Sequence, residues 1–317
     1  MRAVKYGTTR EYVRSMTVVL PDGEVTKFGA TVSKTSSGYS LLNLIIGSEG
    51  TLGIITELTL KLLPAPQATV SLMAPFEDLA ACISTVPKIF QHHFQPQALE
   101  FFEKEILVSS EKYLGKETFP KKIEGKDVGA YLLITFDGDS MDEVNNIVEK
   151  ASEMLLEEGA LDILVADTAP KLKDIWAARS SFLDGINEQF KLVDECDVVV
   201  PVSKIAPYVE YVSQIKGKFD FEVKYFGHAG DGNLHIYTCS NEMQKDEFRK
   251  QSDEFLSAIY KKSMEFGGQI SGEHGIGFGK VHYLEQALGP VNIGLMKSIK
   301  KAFDPKQILN PGKVVVL

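Results

Sequence analysis

Apolar and polar positions alternate with a period of two in several short stretches, and each such stretch predicts a strand. Ser15-Met-Thr-Val-Val-Leu20 and Glu24-Val-Thr-Lys-Phe28 flank the triplet Pro21-Asp-Gly23, which predicts a strand–turn–strand. Gly38 to Ile46 has the apolar content of a short helix, and Ile54 to Leu62 alternates as a strand until Pro64-Ala-Pro66 stops it. Between 68 and 270, helices are expected over 76–90, 141–158, 170–189, 204–216 and 244–266. Strands are expected over 129–136, 161–166, 192–200, 221–227 and 233–238. A last helix covers Pro290 to Phe303 and ends at Asp304-Pro305. The elements do not form the regular strand–helix–strand series of a parallel sheet, so the expected class is α+β with a mainly antiparallel sheet. The breaks divide the chain into 1–67, 68–270 and 271–317, with the middle segment as a domain of its own.

Composition narrows the functional classes. At 317 residues, 44% apolar and 24% charged, the chain has material for two cores. Its formal net charge of −9 argues against nucleic acid as a partner, because phosphate contacts need a basic patch. An anionic substrate would have to be held by local cations. No stretch approaches the ~20 apolar residues that span a bilayer, and no signal-peptide pattern opens the sequence, so a cytoplasmic protein is expected. Cys82, Cys196 and Cys239 are scattered and suit a reducing compartment as small buried apolar side chains. An iron–sulfur cluster needs about four grouped thiolates, so none is expected within this chain.

Candidate chemistry concentrates in two glycine-rich segments, Phe226-Gly-His-Ala-Gly-Asp-Gly-Asn-Leu-His235 and Ser271-Gly-Glu-His-Gly-Ile-Gly277. Glycines let backbone approach closely, so the side chains between them can be aimed at a small target. Imidazole and carboxylate suit a divalent metal such as Zn, Fe or Mn. The set His228, His235 and Glu273 would leave coordination positions open for a substrate, with His274 beside it as an acid/base. A blander reading stands next to this one. Asp231-Gly232 is a strong hairpin signal, so Asp231 and Asn233 can be turn residues with incidental histidines around them.

Gly47-Ser-Glu-Gly-Thr-Leu-Gly53 offers backbone amides that can bond a cofactor's phosphate, ribose or ring edge, or can form an ordinary tight connection into a strand. It lacks the G-x-G-x-x-G spacing, which disfavours a nicotinamide site of Rossmann type. Arg179, in Asp174-Ile-Trp-Ala-Ala-Arg-Ser180, reads from the residues alone as a surface helix arginine; a bidentate carboxylate clamp is the alternative. His92 and His93 read as surface or packing residues, and His282 as structural.

Taken together, G-H-x-G-D-G-N-L-H and S-G-E-H-G-I-G resemble the C-terminal half of FAD-linked D-2-hydroxyacid dehydrogenases, in the vanillyl-alcohol oxidase/p-cresol methylhydroxylase superfamily. Leu42-Asn-Leu-Ile-Ile-Gly-Ser-Glu-Gly-Thr-Leu-Gly-Ile-Ile-Thr56 is similar to the family's second FAD-binding segment, and Ile308-Leu-Asn-Pro-Gly-Lys313 to its closing motif. The four motifs occur in the family's order and run the length of the chain. The resemblance implies the remainder of an FAD-binding domain over 1–67 and 271–317 and a substrate-binding cap over 68–270. It implies FAD contacts at Gly47, Ser48, Glu49, Gly50, Thr51, Gly53, Ile54, Ile55 and Asn310, a substrate clamp at Arg179, and His274 as base. Met1-Arg-Ala-Val-Lys-Tyr-Gly7 resembles an internal stretch of the family, downstream of its pyrophosphate loop, so the N-terminal FAD subdomain is expected to be lacking.

The activity implied is oxidation of a short D-2-hydroxyacid, of D-lactate or glycolate type, to the 2-oxoacid. A metal would lower the pKa of the hydroxyl and FAD would take the hydride. The acceptor of the electrons would be an electron-transfer flavoprotein, an iron–sulfur subunit or a quinone. Tyr237 stands where 2-hydroxyglutarate enzymes carry an Asn, which favours small substrates over those with a second carboxylate. Two other readings remain: a split or truncated family member without redox activity of its own, and a metal-dependent hydrolase that uses the same His/His/Glu set.

Overall fold

The N-terminal strand–turn–strand forms as β1 (Val13–Val19) and β2 (Val25–Gly29), antiparallel, with Met16 opposite Phe28. The turn closes because Gly23, at φ +90°, donates its amide to the Leu20 carbonyl at 2.9 Å, while Asp22 accepts from the Glu24 amide at 3.0 Å. A third strand, β3 (Ile54–Leu60), pairs antiparallel with the other edge of β1. In this computed structural model, which describes residues 2–317, these strands belong to the smaller of two compact units, Gly7–Pro64 with Glu273–Leu317. Its core is Val13, Met16, Val18, Ile45 and Leu52, against which Ile299 and Phe303 of the helix Val281–Phe303 pack. That helix begins nine residues before the Pro290 start expected from the sequence, and Gly289, at φ +73°, interrupts it just ahead of the proline.

The larger unit comprises Ala65–Gly272 and the N-terminal stretch ending at Tyr6. Lys5 and Tyr6 tie that stretch down through the Asp137 carboxylate, the tyrosine hydroxyl donating at 2.6 Å. Its sheet begins with β4 (Ala68–Phe76) and β5 (Ala98–Glu103), neither of which the alternation pattern reveals. Both lie between covered faces, so consecutive residues such as Leu99, Glu100, Phe101 and Phe102 are all buried and the period-two signal vanishes. A small hairpin, β6 (Lys122–Ile123) and β7 (Lys126–Asp127), precedes β8 (Ala130–Gly138). Then follow β9 (Leu164–Ala166), β10 (Leu192–Val199), β11 (Glu222–His228) and β12 (Asn233–Ser240). Seven of these strands make one sheet in the order β10-β12-β11-β5-β8-β4-β9, every neighbouring pair antiparallel.

Two helix expectations over the larger unit need correction, and one of its helices was not expected. The helix foreseen over 76–90 is Leu79–Gln91: residues up to Phe76 are still in β4, and Asp78 caps the helix by accepting from the Ala81 amide at 2.8 Å. The helix foreseen over 170–189 is two, Ala169–Ser180 and Phe182–Gln189, because Ser181 leaves helical geometry at ψ 10°. Lys104–Leu114 was not foreseen, since it follows β5 directly and its cap, Glu103, makes no side-chain capping bond. Tyr131, Phe102, Phe182 and Phe226 interlock in the core on one face of the sheet, with Phe102 and Phe182 edge to face at 4.8 Å. No described helix is long and apolar enough to cross a membrane. The three cysteines are buried thiols.

Candidate active site

Strand register assembles the polar cluster of the larger unit. β5 and β11 pair so that Glu100 stands opposite His228. β11 and β12 pair so that Phe226 stands opposite His235, and β10 places Asp197 on the other side of that histidine. The hairpin between His228 and Asn233 turns through Gly232 at φ +76°, where a Cβ would lie 1.9 Å from the Val200 carbonyl oxygen. The Asp231-Gly232 turn is therefore real, and it carries both histidines onto adjacent strands. Their rings meet edge to face, centroids 5.3 Å apart.

Glu100 is 1% exposed and serves two partners. It accepts from Arg179 Nε at 2.9 Å and Nη2 at 2.6 Å, and it faces His228 Nδ1 at 2.7 and 2.8 Å. Burial alone would raise the pKa of this carboxyl, but the Arg179 cation and the His228 contact outweigh it and hold the pKa below the usual carboxylate value. Arg179 lies near the end of Ala169–Ser180, buried, with its guanidinium carbon 4.9 Å from the Phe226 ring centre and 5.2 Å from that of Phe182. The surface-arginine reading is thereby removed. Sequence reasoning missed Glu100; the available signal was one acidic residue inside the apolar run Gln97-Ala-Leu-Glu-Phe-Phe102.

Two further carboxylates surround His235. Glu195 has its Oε1 3.7 Å from His235 Nδ1 and accepts from the Tyr237 hydroxyl at 2.7 Å. Burial, then the bond to Glu195, pushes the Tyr237 phenol well up. Asp197 is fully buried and accepts from Asn233 Nδ2 at 2.6 Å, Ser271 Oγ at 2.8 Å and the Gly272 amide at 3.0 Å. A Cβ on Gly272 would fall 1.7 Å from Asn233 Nδ2, so this glycine is required by close approach.

The smaller unit holds the glycine-rich loop. The loop 47–53 and the closing segment line one cleft of about 620 Å³, formed by Gly47, Ser48, Glu49, Gly50, Gly53, Ile54, Ile55 and Asn310 together with Ile45, Ile308 and Leu309. Thr51 does not line it; its side chain turns inward and donates to the Ser48 carbonyl at 2.7 Å. Gly47, Glu49 and Gly50 all have positive φ. The Glu49 carboxylate accepts from the Ile276 and Gly277 amides, each at 2.7 Å, and its carbonyl accepts from Asn310 Nδ2 at 2.7 Å. Three separated motifs thus meet at one residue. Beneath them the buried Lys300 ammonium donates to the Thr51 carbonyl (2.8 Å), the Leu309 carbonyl (2.8 Å) and Asp304 (2.6 Å). Glu273 and His274 are exposed in this unit, with Nε2 and Oε1 3.9 Å apart.

Comparison with known proteins agrees with the motif order. The family model described as FAD linked oxidases, C-terminal domain, matches residues 65–314. A D-lactate dehydrogenase of Anaerostipes hadrus is 61% identical over 99% of the chain, and the glycolate oxidase subunit GlcD of Bacillus subtilis is 37% identical over 99%. The chain spans 66% and 65% of the lengths of these two relatives. In three dimensions it shares the fold of p-cresol methylhydroxylase, with a TM-score of 0.71 at 16% identity, covering 98% of this chain and 69% of that one.

Proposed function

We propose, for a chain that belongs to the family of FAD-linked oxidases, that it serves FAD-dependent oxidation of a short D-2-hydroxyacid, of D-lactate or glycolate type, to the 2-oxoacid. The observation that carries this reading is the cleft whose walls are the 47–55 segment and Ile308 to Asn310. Its geometry fits a dinucleotide cofactor. Gly47 and Gly50, both at positive φ, line the cleft, and a Cβ at Gly50 would come within 2.9 Å of Asn310 Nδ2. FAD, when bound, would accept the two electrons released from the substrate's Cα–H bond.

The donor set also fits a divalent metal such as Zn, Fe or Mn. His228 directs Nδ1 at a carboxylate, as metal-ligating histidines commonly do. His228, His235 and Glu273 would be its ligands, the last assigned from its motif. A metal there would lower the pKa of the substrate hydroxyl.

The protein's own groups do the rest. Arg179 engages Glu100 through Nε and Nη2, so its Nη1–Nη2 edge is the part that would grip the substrate carboxylate. His274 would take the hydroxyl proton. Tyr237, which donates to Glu195 at 2.7 Å, stands where 2-hydroxyglutarate enzymes carry an Asn, which favours lactate- or glycolate-sized acids. The electrons would pass to an electron-transfer flavoprotein, an iron–sulfur subunit or a quinone, and the protein would work in the cytoplasm.

The test is dye reduction by the protein purified from its own cells, with D-lactate, glycolate and D-2-hydroxyglutarate compared. The first two should be oxidised without NAD, and Arg179→Lys should raise KM strongly because an ammonium cannot reproduce the fork. NAD reduction in the absence of flavin would overturn the reading.

A further inference from the structure

We infer that Glu100 is a positioning residue shared by two functions: it fixes His228 as its Nδ1–H tautomer and sets the direction in which Arg179 presents its outer edge. The inference deepens the proposed metal and substrate roles, and rests on them for what His228 and Arg179 do.

The tautomer follows from the hydrogen-bond inventory. His228 Nδ1 lies 2.7–2.8 Å from the two Glu100 oxygens and 3.5 Å from Arg179 Nη2. A guanidinium only donates, and a carboxylate paired with it only accepts. An unprotonated Nδ1 would put a lone pair against two carboxylate oxygens at contact distance, with the Arg179 donor at the limit of hydrogen-bond range. A proton on Nδ1 satisfies the short contacts, and in the neutral ring the lone pair then lies on Nε2. Carboxylates behind ligating histidines do this work at metal centres in general, orienting the ring and raising its basicity.

The second function uses the same atoms. Oε2 receives both Nε and Nη2 of Arg179, which uses one side of the planar fork, while the ring faces of Phe226 and Phe182 bound the guanidinium. Rotation about the terminal torsions would break two bonds to a carboxylate that is 1% exposed, so Nη1 is held in one direction. An ion pair present only for stability would need neither the histidine nor its tautomer. Buried pairs of this kind are often replaceable by apolar residues without loss of stability. Two groups drawn from β11 and a helix to one carboxylate on β5 point to a positional role instead.

The experiment uses the full chain and two variants. Glu100→Gln keeps the shape but leaves one acceptor oxygen for two donors. Glu100→Leu with Arg179→Met removes both buried charges together, which covers the case in which the single variant fails to fold. Nitrogen-15 NMR of the imidazoles, with His228 identified by its disappearance in His228→Gln, reads the tautomer directly. Wild type should show Nδ1–H at His228, and either folded variant should lose that preference. Zinc affinity, measured by competition with a chelator, should fall about 10–100-fold in the same variants, the usual cost of removing such a partner. A His228 tautomer unchanged in a folded variant overturns the inference, and so does unchanged zinc affinity. Absence of zinc binding by the wild type would instead defeat the metal reading, while the tautomer measurement still decides the role of Glu100.

Discussion

The two units solve opposite problems with opposite materials. In the larger one the polar groups are side chains, and the sheet hides them: Glu100, His235, Arg179 and His228 are 1%, 4%, 7% and 7% exposed. In the smaller one the candidate cofactor wall is a glycine-rich loop and a closing segment, with positive φ at Gly47, Glu49 and Gly50, tied together by Glu49, Asn310 and Lys300. A constellation of charged side chains needs a low-dielectric, close-packed surround to keep its geometry, and strand register supplies it. A groove for a long cofactor needs open amides, and loops supply those provided something else holds them still. In this molecule the holding is done by a few ionic and amide contacts rather than by a large core.

That contrast breaks most severely at Lys300. Lys300→Met would leave Asp304, fully buried, with two amide donors but no counterion, and would release the Thr51 and Leu309 carbonyls. Stranding one member of a buried pair costs about 3–5 kcal/mol. Hydrogen exchange should accelerate through the smaller unit while the seven-stranded sheet stays protected. The effect has a pH signature. Burial raises the Asp304 pKa, but Lys300 and the Leu309 and Ile308 amides lower it further, so it lies below the usual aspartate value of 3.8. A depressed carboxyl pKa gives stability that is complete above the usual value and lost as pH falls through the folded one. The gap between wild type and Lys300→Met should therefore narrow below about pH 4, where a neutral Asp304 no longer needs its partner. A gap that widens on acidification would contradict the pairing.

The larger unit should fail differently. Leu107 is fully buried in the aromatic core of that unit, and Leu107→Ala should cost about 2–5 kcal/mol through lost burial and the cavity left behind. The cost should be insensitive to pH between 3 and 7, since no titrating group is stranded, and exchange should accelerate in the sheet and not in the 47–53 loop. Equal acceleration in both units would deny that they are separate cooperative bodies.

How much of this was legible in the sequence follows the same division. The 47–53 loop was readable because its glycines are local: Gly47, Gly50 and Gly53 announce an unusual loop before any partner is known. The hairpin at Asp231-Gly232 was readable for the same reason. The larger unit's inner strands were not. β4 and β5 are buried on both faces, so the alternation that marks a half-buried strand is missing, and Pro75 within β4 argues against a strand at all. Glu100 was invisible because its two partners lie 79 and 128 residues away along the chain. Asp197 was hidden likewise, since it acts on Ser271 and Gly272, 74 and 75 residues on. Local periodicity cannot report a contact set by strand order.

The smallest and sharpest test lies at Gly50. Its φ of +68° costs an L-residue about 1–2 kcal/mol, and a Cβ there would sit 2.9 Å from Asn310 Nδ2. Asn310 is half of the tie between the closing segment and the Glu49 carbonyl, so the methyl group would push on that tie rather than on the core. Gly50→Ala should therefore lower the melting temperature only modestly while weakening FAD binding, because the displaced groups line the cleft. Gly125→Ala is the matched control: at φ +85° it carries comparable backbone strain, but it lies in the larger unit with nothing near its Cβ. FAD fluorescence quenching, measured on the same preparation as wild type, separates the two. If both substitutions weaken FAD equally, backbone strain alone explains the loss and the cleft assignment has no support from Gly50. If only Gly50→Ala does so, the contact between the loop and Asn310 is what the cofactor reads.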